Sequence, residues 1–457
     1  MKKILTILSV VILSVIVALP FFGNKAVEKV LRDRIEVLNS FGLEIDNIKS
    51  DSTYLKSNRH YIVYVKDADK FITYLNQFSS PKIPIYLNNM VEGTILEVKI
   101  QYSNIPLTDG VSIDIYPLKL SENIIDNIKE SDVELSRYIS DFLYNKGFGY
   151  YLNYNILSKV FSGHIKDIEE SHTLSSGYKI DVKLRGATFN GSGILLAPEK
   201  LNSKIDEIFF KVDGNSQKID ILFSDISESL VFKSKTNYSI NSKIKNIALN
   251  VYAKDFNKSE IIFNNIDFDI STNTKNKKID FFAKTTFDKL IVDTPKVIVD
   301  IDGFIYDMSL TKLDKDIFEQ IIELANQAKI DQTLQEQMTE KIISLLLKGL
   351  ELKIADFSLS KVTVNKSEDL GGISLKVDVV FPPNVILANK QENINNISKN
   401  MNIDLLIKIS KKMFIELSQA QPILVMTQSF AKEQNDNFIF NIKIDDGNLT
   451  VNDKVIQ

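Results

Sequence analysis

Lys278-Ile279-Asp280-Phe281-Phe282-Ala283, followed by Val297-Ile298-Val299-Asp300-Ile301-Asp302, alternates apolar and polar residues with a period of two. Successive side chains of a strand point to opposite faces, so this alternation predicts strands buried on one side and wetted on the other, as in an antiparallel sheet. The same pattern runs backward through Ile266-Asp267-Phe268-Asp269-Ile270, Ile247-Ala248-Leu249-Asn250-Val251-Tyr252 and Lys218-Ile219-Asp220-Ile221-Leu222-Phe223. It continues to Ile208-Phe209-Phe210-Lys211-Val212 and Lys179-Ile180-Asp181-Val182-Lys183-Leu184. Asp213-Gly214-Asn215-Ser216 and Asn273-Thr274-Lys275-Asn276-Lys277 have turn composition. Residues 150–313 therefore read as a central antiparallel sheet.

Past Leu313-Asp314 the period changes to that of a helix. Ile317, Ile321, Leu324, Ala328, Leu334, Met338, Ile342 and Leu345 predict a long amphipathic helix or helix pair, closed by Lys348-Gly349. Strands are expected over Leu352–Leu359, Ile373–Val380 and Met401–Ile407, with Pro382-Pro383 stopping the second. Helices follow from Ser410 to Leu417 and from Pro422 to Lys432. The tail reads as hairpins, with Asp445-Asp446-Gly447-Asn448 and Asn452-Asp453 as turns.

Ahead of the central sheet, strands are expected at Leu43–Ile48, His60–Val65, Ile95–Tyr102 and Val111–Tyr116. Asp67 is positioned to cap a short helix carrying Phe71, Leu75 and Phe78, and Ser121 to cap a helix running to Leu143, with Gly147 after its end. Ala26, Val27, Val30, Leu31, Ile35 and Leu38 predict an amphipathic helix over 25–39.

The chain opens with Lys2-Lys3 and an uncharged, mostly apolar run from Ile4 to Phe22. Roughly 17–25 apolar residues cross a bilayer as a helix, so this run is read as a single transmembrane signal-anchor. A cleaved signal has a shorter apolar centre and small residues at the cut, whereas this run ends in Pro20-Phe21-Phe22. Lys25, Lys29, Arg32 and Arg34 follow it, but the short basic start is that of an export signal and long domains cross largely regardless of charge. The amino terminus is expected inside and the body outside the cytoplasm.

The 457 residues hold 55 Lys and Arg against 59 Asp and Glu, with no basic tract, so nucleic acid is not an expected partner. The absence of cysteine excludes disulfides, thiolate metal sites and cysteine nucleophiles. The expected fold class is α+β, predominantly antiparallel β: an elongated sheet with covering helices after a single amino-terminal transmembrane helix. Its expected divisions are 1–24, the signal-anchor; 25–149, an amino-terminal α+β region; 150–313, the central β region; and 314–457, a carboxy-terminal α+β region.

This order of elements resembles the YdgA-like family of bacterial envelope proteins. The resemblance rests on the amino-terminal apolar segment with its charged helix, the paired strands from Lys245-Asn246-Ile247 through Leu290 to Val299-Asp300-Ile301-Asp302-Gly303, the helix after Leu313 and the closing hairpin. Family members carry an aromatic Arg-Gly-Phe-like segment early on. Here Tyr54-Leu55-Lys56-Ser57-Asn58 stands in its place, leaving the carboxy-terminal half as the better match. The resemblance implies a single-pass protein of the bacterial inner membrane with its bulk in the periplasm, and supplies no catalytic residues.

No constellation of residues commits the chain to chemistry. His164 and His172 flank Asp167, Glu169 and Glu170, but lack the tight spacing of metal ligands. Asn190-Gly191-Ser192-Gly193 lacks the outer glycines of a nucleophile elbow and reads as a turn. The pairs Asp300/Asp302 and Asp267/Asp269 fall on the polar face of strands, and Asp445/Asp446 in a turn. Asn257 and Asn448 sit in acceptor tripeptides for glycosylation, each with an aspartate two residues earlier. No catalytic, cofactor-binding or metal residue is assigned. The expected function is a non-catalytic binding or structural role at the envelope, with the inner membrane and an envelope protein as partners. The alternative is a lipid-binding or lipid-transfer module, in which the apolar face of the sheet forms a groove; helices from Asp314 and Ser410 would otherwise cover that face.

Overall fold

The computed structural model describes residues 33–456 except 34, 54–55, 77–82, 84–86, 104–109, 195–196, 215, 235, 254–255, 326–331, 367, 384–400 and 446. Two compact units divide within one strand, β11 (Gln217–Ser234): residues up to 220 and 225–229 belong to the first, and 221–224 and 230 onward to the second.

The first unit begins with a helical stretch over residues 35–40. Strands β1 (Leu43–Ser52) and β2 (Lys56–Val65) follow, then helices α1 (Ala68–Leu75) and α2 (Asn88–Val91), then β3 (Ile95–Ser103) and β4 (Val111–Lys119). Helices α3 (Glu122–Ser131) and α4 (Val133–Tyr144) lead into β5 (Tyr150–Asn155), β6 (Val160–Ile165), β7 (Ile168–Thr173), β8 (Lys179–Arg185), β9 (Thr188–Ile194) and β10 (Ala197–Asp213). Antiparallel pairing runs β1-β2-β3-β4-β5-β6-β9-β10. Strands β8 and β9 lie end to end along β10, with Glu207 opposite Arg185 and Lys204 opposite Thr188 in one register. β6 and β7 lie end to end along β9 and β8 in the same way. The breaks coincide: Asp167 Oδ1 accepts the Gly186 N–H at 2.9 Å, and Gly186, at φ +65°, has no room for a Cβ against Asp206.

Period-two burial is clean here. In β4, Val111, Ile113 and Ile115 are buried while Ser112, Asp114 and Tyr116 are half-buried on the other face. The inward face packs with Phe71, Leu96, Ile100 and Leu152 into the molecule's largest described core. Capping sets the helices. Asp67 accepts the Lys70 N–H at 3.0 Å and Ser121 the Ile124 N–H at 3.3 Å, as their positions predict. The helix expected from Ser121 to Leu143 is two helices, because Asp132 leaves helical geometry and caps the second, accepting the Leu135 N–H at 2.9 Å.

The second unit holds β12 (Asn237–Ala253), β13 (Phe256–Lys275), β14 (Lys278–Asp293) and β15 (Ile298–Asp314). Helices α5 (Lys315–Ala325) and α6 (Gln332–Leu347) precede β16 (Leu350–Val364), β17 (Glu368–Phe381) and β18 (Asn402–Ser410). Helices α7 (Lys411–Ala420) and α8 (Ile423–Thr427) and a 3-10 turn, Gln428–Phe430, precede β19 (Lys432–Gln434), β20 (Asn437–Asp445), β21 (Asn448–Val451) and β22 (Lys454–Val455). Antiparallel pairing runs from β12 in chain order to β18 and then to β20. Two-residue turns with both residues at positive φ, Asn276-Lys277 and Asn452-Asp453, close hairpins in the sense that matches strand twist.

The strands of this unit reach 20 residues in β13, longer than their alternation suggests. A line of backbone kinks explains the difference. Asn265 on β13, Gly303 on β15 and Gly371 on β17 have φ of +52°, +66° and +75°. Pairing places Asp288 beside Asn265, and Gly303 between Asp288 and Ser360. The Asn265 amide donates to Asp288 at 2.7 Å, and the Ser360 hydroxyl to the Gly303 carbonyl at 3.2 Å. Apolar residues step by two along each strand but by three across this line: Phe263 to Ile266, Phe287 to Leu290, Ile301 to Phe304, Leu359 to Val362. Each kink thus returns the apolar residues to the same face while the pairing stays one to one across β13 to β16.

These findings correct the expected fold. Antiparallel strands dominate both units and the longest described helix has 16 residues, so among the described residues the molecule is mainly β and not α+β. Asn, Asp and Gly that look like turn residues lie inside strands, which lengthens them at the expense of everything else. Among the described residues no helix is long and apolar enough to cross a membrane; Ile4–Phe22 lies outside the described residues. The helix expected over Pro422–Lys432 is only the short α8 and the 3-10 turn.

Gly303→Val should destabilise the second unit by about 1–3 kcal/mol, the usual cost of forcing a side chain into left-handed backbone, with added crowding against Ser360. Urea unfolding checks it; an unchanged midpoint contradicts the role given to the kink.

Candidate functional site

In the second unit the registers align apolar residues into rows that cross the sheet. One row passes through Ile270, Ala283, Met308, Ile354, Val377 and Leu405. On the other side of the aromatic centre runs a second, through Ile266, Phe287, Phe304, Leu359, Ile373 and Ile409. Aromatic rings join them: Phe287 stacks on Phe304 at 4.8 Å, Phe263 meets Phe287 edge-on at 5.7 Å, and Phe304 and Tyr306 both meet Phe357.

The helices expected to cover this face meet it at two ends. Ile317, Phe318 and Ile321 of α5 and Leu345 of α6 pack on Ile279, Leu313 and Leu350. Met413 and Phe414 of α7 pack on Leu370, Ile409, Phe438 and Phe440. Ser410 caps α7, accepting the Met413 N–H at 3.1 Å. Between these clusters every residue of the first row is only half-buried, and Phe268 is 37% exposed. The opposite face is ionic: Lys243 pairs with Asp267 at 3.0 Å, Lys289 with Asp300 and Asp302 at 3.7 and 3.8 Å, and Lys443 with Asp404 at 3.6 Å. The acidic pairs of the alternating pattern are thus spent on neighbouring lysines and on the Asn241 amide.

A polar cluster lies on the outer face of the first unit. Register aligns His60, Lys99, Asp114, Tyr151 and His164 across β2 to β6. Glu97, buried beside this row, lies 2.9 Å from His60 Nε2, 3.4 Å from Lys99 Nζ and 2.7 Å from Lys146 Nζ. Lys146 is delivered by the end of α4, where Lys146 at φ +58° and the bonds Gly147 N–H to Phe142 O and Lys146 N–H to Leu143 O form a Schellman closure. Burial opposes ionisation of Glu97, but the hydrogen bond and charge of Lys146, with the charge of Lys99, outweigh it and hold its pKa below the ordinary value. Asp114 is shifted the other way, raised by burial against the pull of Lys99 and His164. Glu97 links His60, Lys99 and Lys146, which makes this a cross-linked ionic surface.

The residues weighed for chemistry do not converge. His164 stacks on Tyr151 and His172 on Tyr138, each at 4.5 Å. Asp167 holds the Gly186 N–H, Glu169 pairs with Lys183 and Arg185, and Glu170 accepts from the Tyr138 hydroxyl. Asn190-Gly191-Ser192-Gly193 is not a turn but part of strand β9, where Gly191 leaves room for the Phe161 ring and the Lys200 carbonyl. Asn448 is exposed at a hairpin turn.

The continuous apolar face and its kink line lie wholly within the stretch that a family profile matches, residues 174–457. The chain belongs to DUF945, a family of bacterial proteins of unknown function. The YdgA-like name is not part of that match. No curated protein and no solved structure matches the chain.

A group whose folded pKa is depressed adds stability above its unfolded pKa, and that stability is lost as pH falls through the folded value. Wild-type protein should therefore lose stability as pH drops below the ordinary glutamate pKa of ~4.3. Glu97→Gln should be less stable at pH 7 and lose less on acidification, as read by urea midpoints followed from pH 7 down to about pH 3.

Proposed function

We propose that this protein works at the bacterial envelope by binding, with the apolar face of its second unit as an acyl-chain surface. The observation that carries this reading is the apolar face, capped by helices at two ends, with the row from Ile270 to Leu405 half-buried between them. A sheet must cover its apolar face with helices, another sheet or a ligand, and the described helices reach only the ends. Hydrocarbon is the fitting complement, because the rows offer aliphatic and aromatic side chains and the charges all lie on the other face.

The setting is read from the sequence. Lys2-Lys3 and the apolar run Ile4–Phe22 support attachment to the inner membrane with the body in the periplasm. The reading is non-catalytic: the histidines and paired carboxylates are engaged in stacks, caps and ion pairs, and no motif in the sequence supplies a nucleophile.

Lipid extracted from the full-length protein, purified in a polymer that keeps native lipid, should include bound species that depend on this face. Phe304→Glu and Met308→Glu place a charge among hydrocarbon, a costly substitution, and should cut the bound lipid at least ~10-fold by mass spectrometry while strand content by circular dichroism is kept. Lys284→Glu, on the ionic face, should leave it unchanged. Equal lipid in all four proteins overturns the reading. For the setting, a reporter enzyme active only outside the cytoplasm, fused after Gln457, should be active; an inactive fusion overturns the periplasmic assignment.

A further inference from the structure

The first unit contains a second apolar recess. Helices α3 and α4 lie over strands β7 and β8, and between the two layers is a cavity of about 280 Å³. Its walls include Leu135, Ile139 and Phe142 of α4 and Ile168, Ile180 and Val182 of the strands. Polar groups line one side of it: the Tyr138 hydroxyl donates to the Glu170 carboxylate, and the Tyr138 ring stacks on His172 at 4.5 Å, leaving the buried His172 Nε2 without a hydrogen-bond partner. Burial and that hydrogen bond push the Tyr138 hydroxyl up to about 12, so it stays a donor to Glu170 at neutral pH. The recess therefore presents a hydrocarbon interior.

The helix above it is pinned rather than free to settle. At its start Asp132 caps α4 and also accepts the Ser175 N–H at 2.7 Å, tying the helix to the segment between β7 and β8. Halfway along, Tyr138 holds Glu170 of β7. Beyond its end, Lys166 Nζ donates to the Lys146 carbonyl at 2.9 Å within the Schellman closure. Three polar ties fix the position of α4 over the strands beside the recess, and core space between elements fixed this way closes only partly by relaxation. An apolar cavity of ~150 Å³ already accepts a benzene ring, so this one has room for a longer hydrocarbon.

We propose that this recess binds a single acyl chain, methyl end inward, with the polar head left at the mouth. The assignment is to a hydrocarbon chain, since the walls are aliphatic and aromatic and the polar side chains that line the recess, Tyr138, Glu170, Ser171 and His172, come from one α4 position and from β7. It is independent of the acyl-chain surface of the second unit: α4 and β7 precede the residues matched to the family, and the two sites share no residue.

The test is photo-crosslinking of the full-length protein in lipid nanodiscs with a fatty acid carrying a diazirine near its methyl end, followed by peptide mapping. Labelling is expected on Leu135–Leu143 and on Ile168–Val182. Ile139→Trp and, separately, Ile180→Trp fill the recess and should each reduce that labelling at least fivefold, while labelling of peptides bearing Phe287 and Phe304 is unchanged. Both variants should keep the wild-type circular dichroism spectrum; if one unfolds, the other carries the comparison. Labelling confined to the second unit overturns this site and leaves the proposed function standing. Labelling of α4 and β7 that survives both substitutions also overturns it.

Discussion

The second unit depends on one constraint: strands of up to 20 residues must bend without turning their apolar side chains outward. A strand that slips by one residue moves its whole apolar set to the wrong face. Here each strand inserts one residue at the same level, and the positive φ of Asn265, Gly303 and Gly371 absorbs it. The apolar step of three across the line is the compensation. Glycine or asparagine at these points is demanded because left-handed backbone costs other residues more.

The two units solve the burial problem differently. In the first, Phe71, Leu96, Ile113 and Leu152 are fully enclosed, and the helices are tied down by caps and ring stacks. In the second, enclosed residues gather under α5 and α6 and under α7, and the row from Ile270 to Leu405 between them stays half-buried. That contrast concentrates the binding proposal in the second unit, since apolar surface left half-wet is the feature that folding alone does not explain. The ionic cluster around Glu97 is the reverse case, a polar surface whose Lys99 and Lys146 are paired from within.

Much of the local structure was legible before any coordinate. Asp67 and Ser121 cap helices where their sequence positions place them, and Asn452-Asp453 makes the turn its composition predicts. These are short-range effects, in which a side chain serves backbone groups two or three residues away. Where the reading failed, a distant partner had intervened. Asp132 breaks a helical run because Ser175, from another hairpin, shares its carboxylate. Asn190-Gly191-Ser192-Gly193 extends into a strand because Phe161 and Lys200 on the flanking strands need the space that glycine leaves.

The chain by itself determined that antiparallel strands form, which residues share a face, where helices begin, and that an apolar run precedes the body; all follow from periodicity and local hydrogen bonding. Tertiary structure alone decided that the kinks align, that the described helices meet the apolar face at its two ends, and that a recess remains between α4 and its strands. Those features arise from register between strands and from ties between residues tens of positions apart, and neither is encoded in any short stretch of sequence.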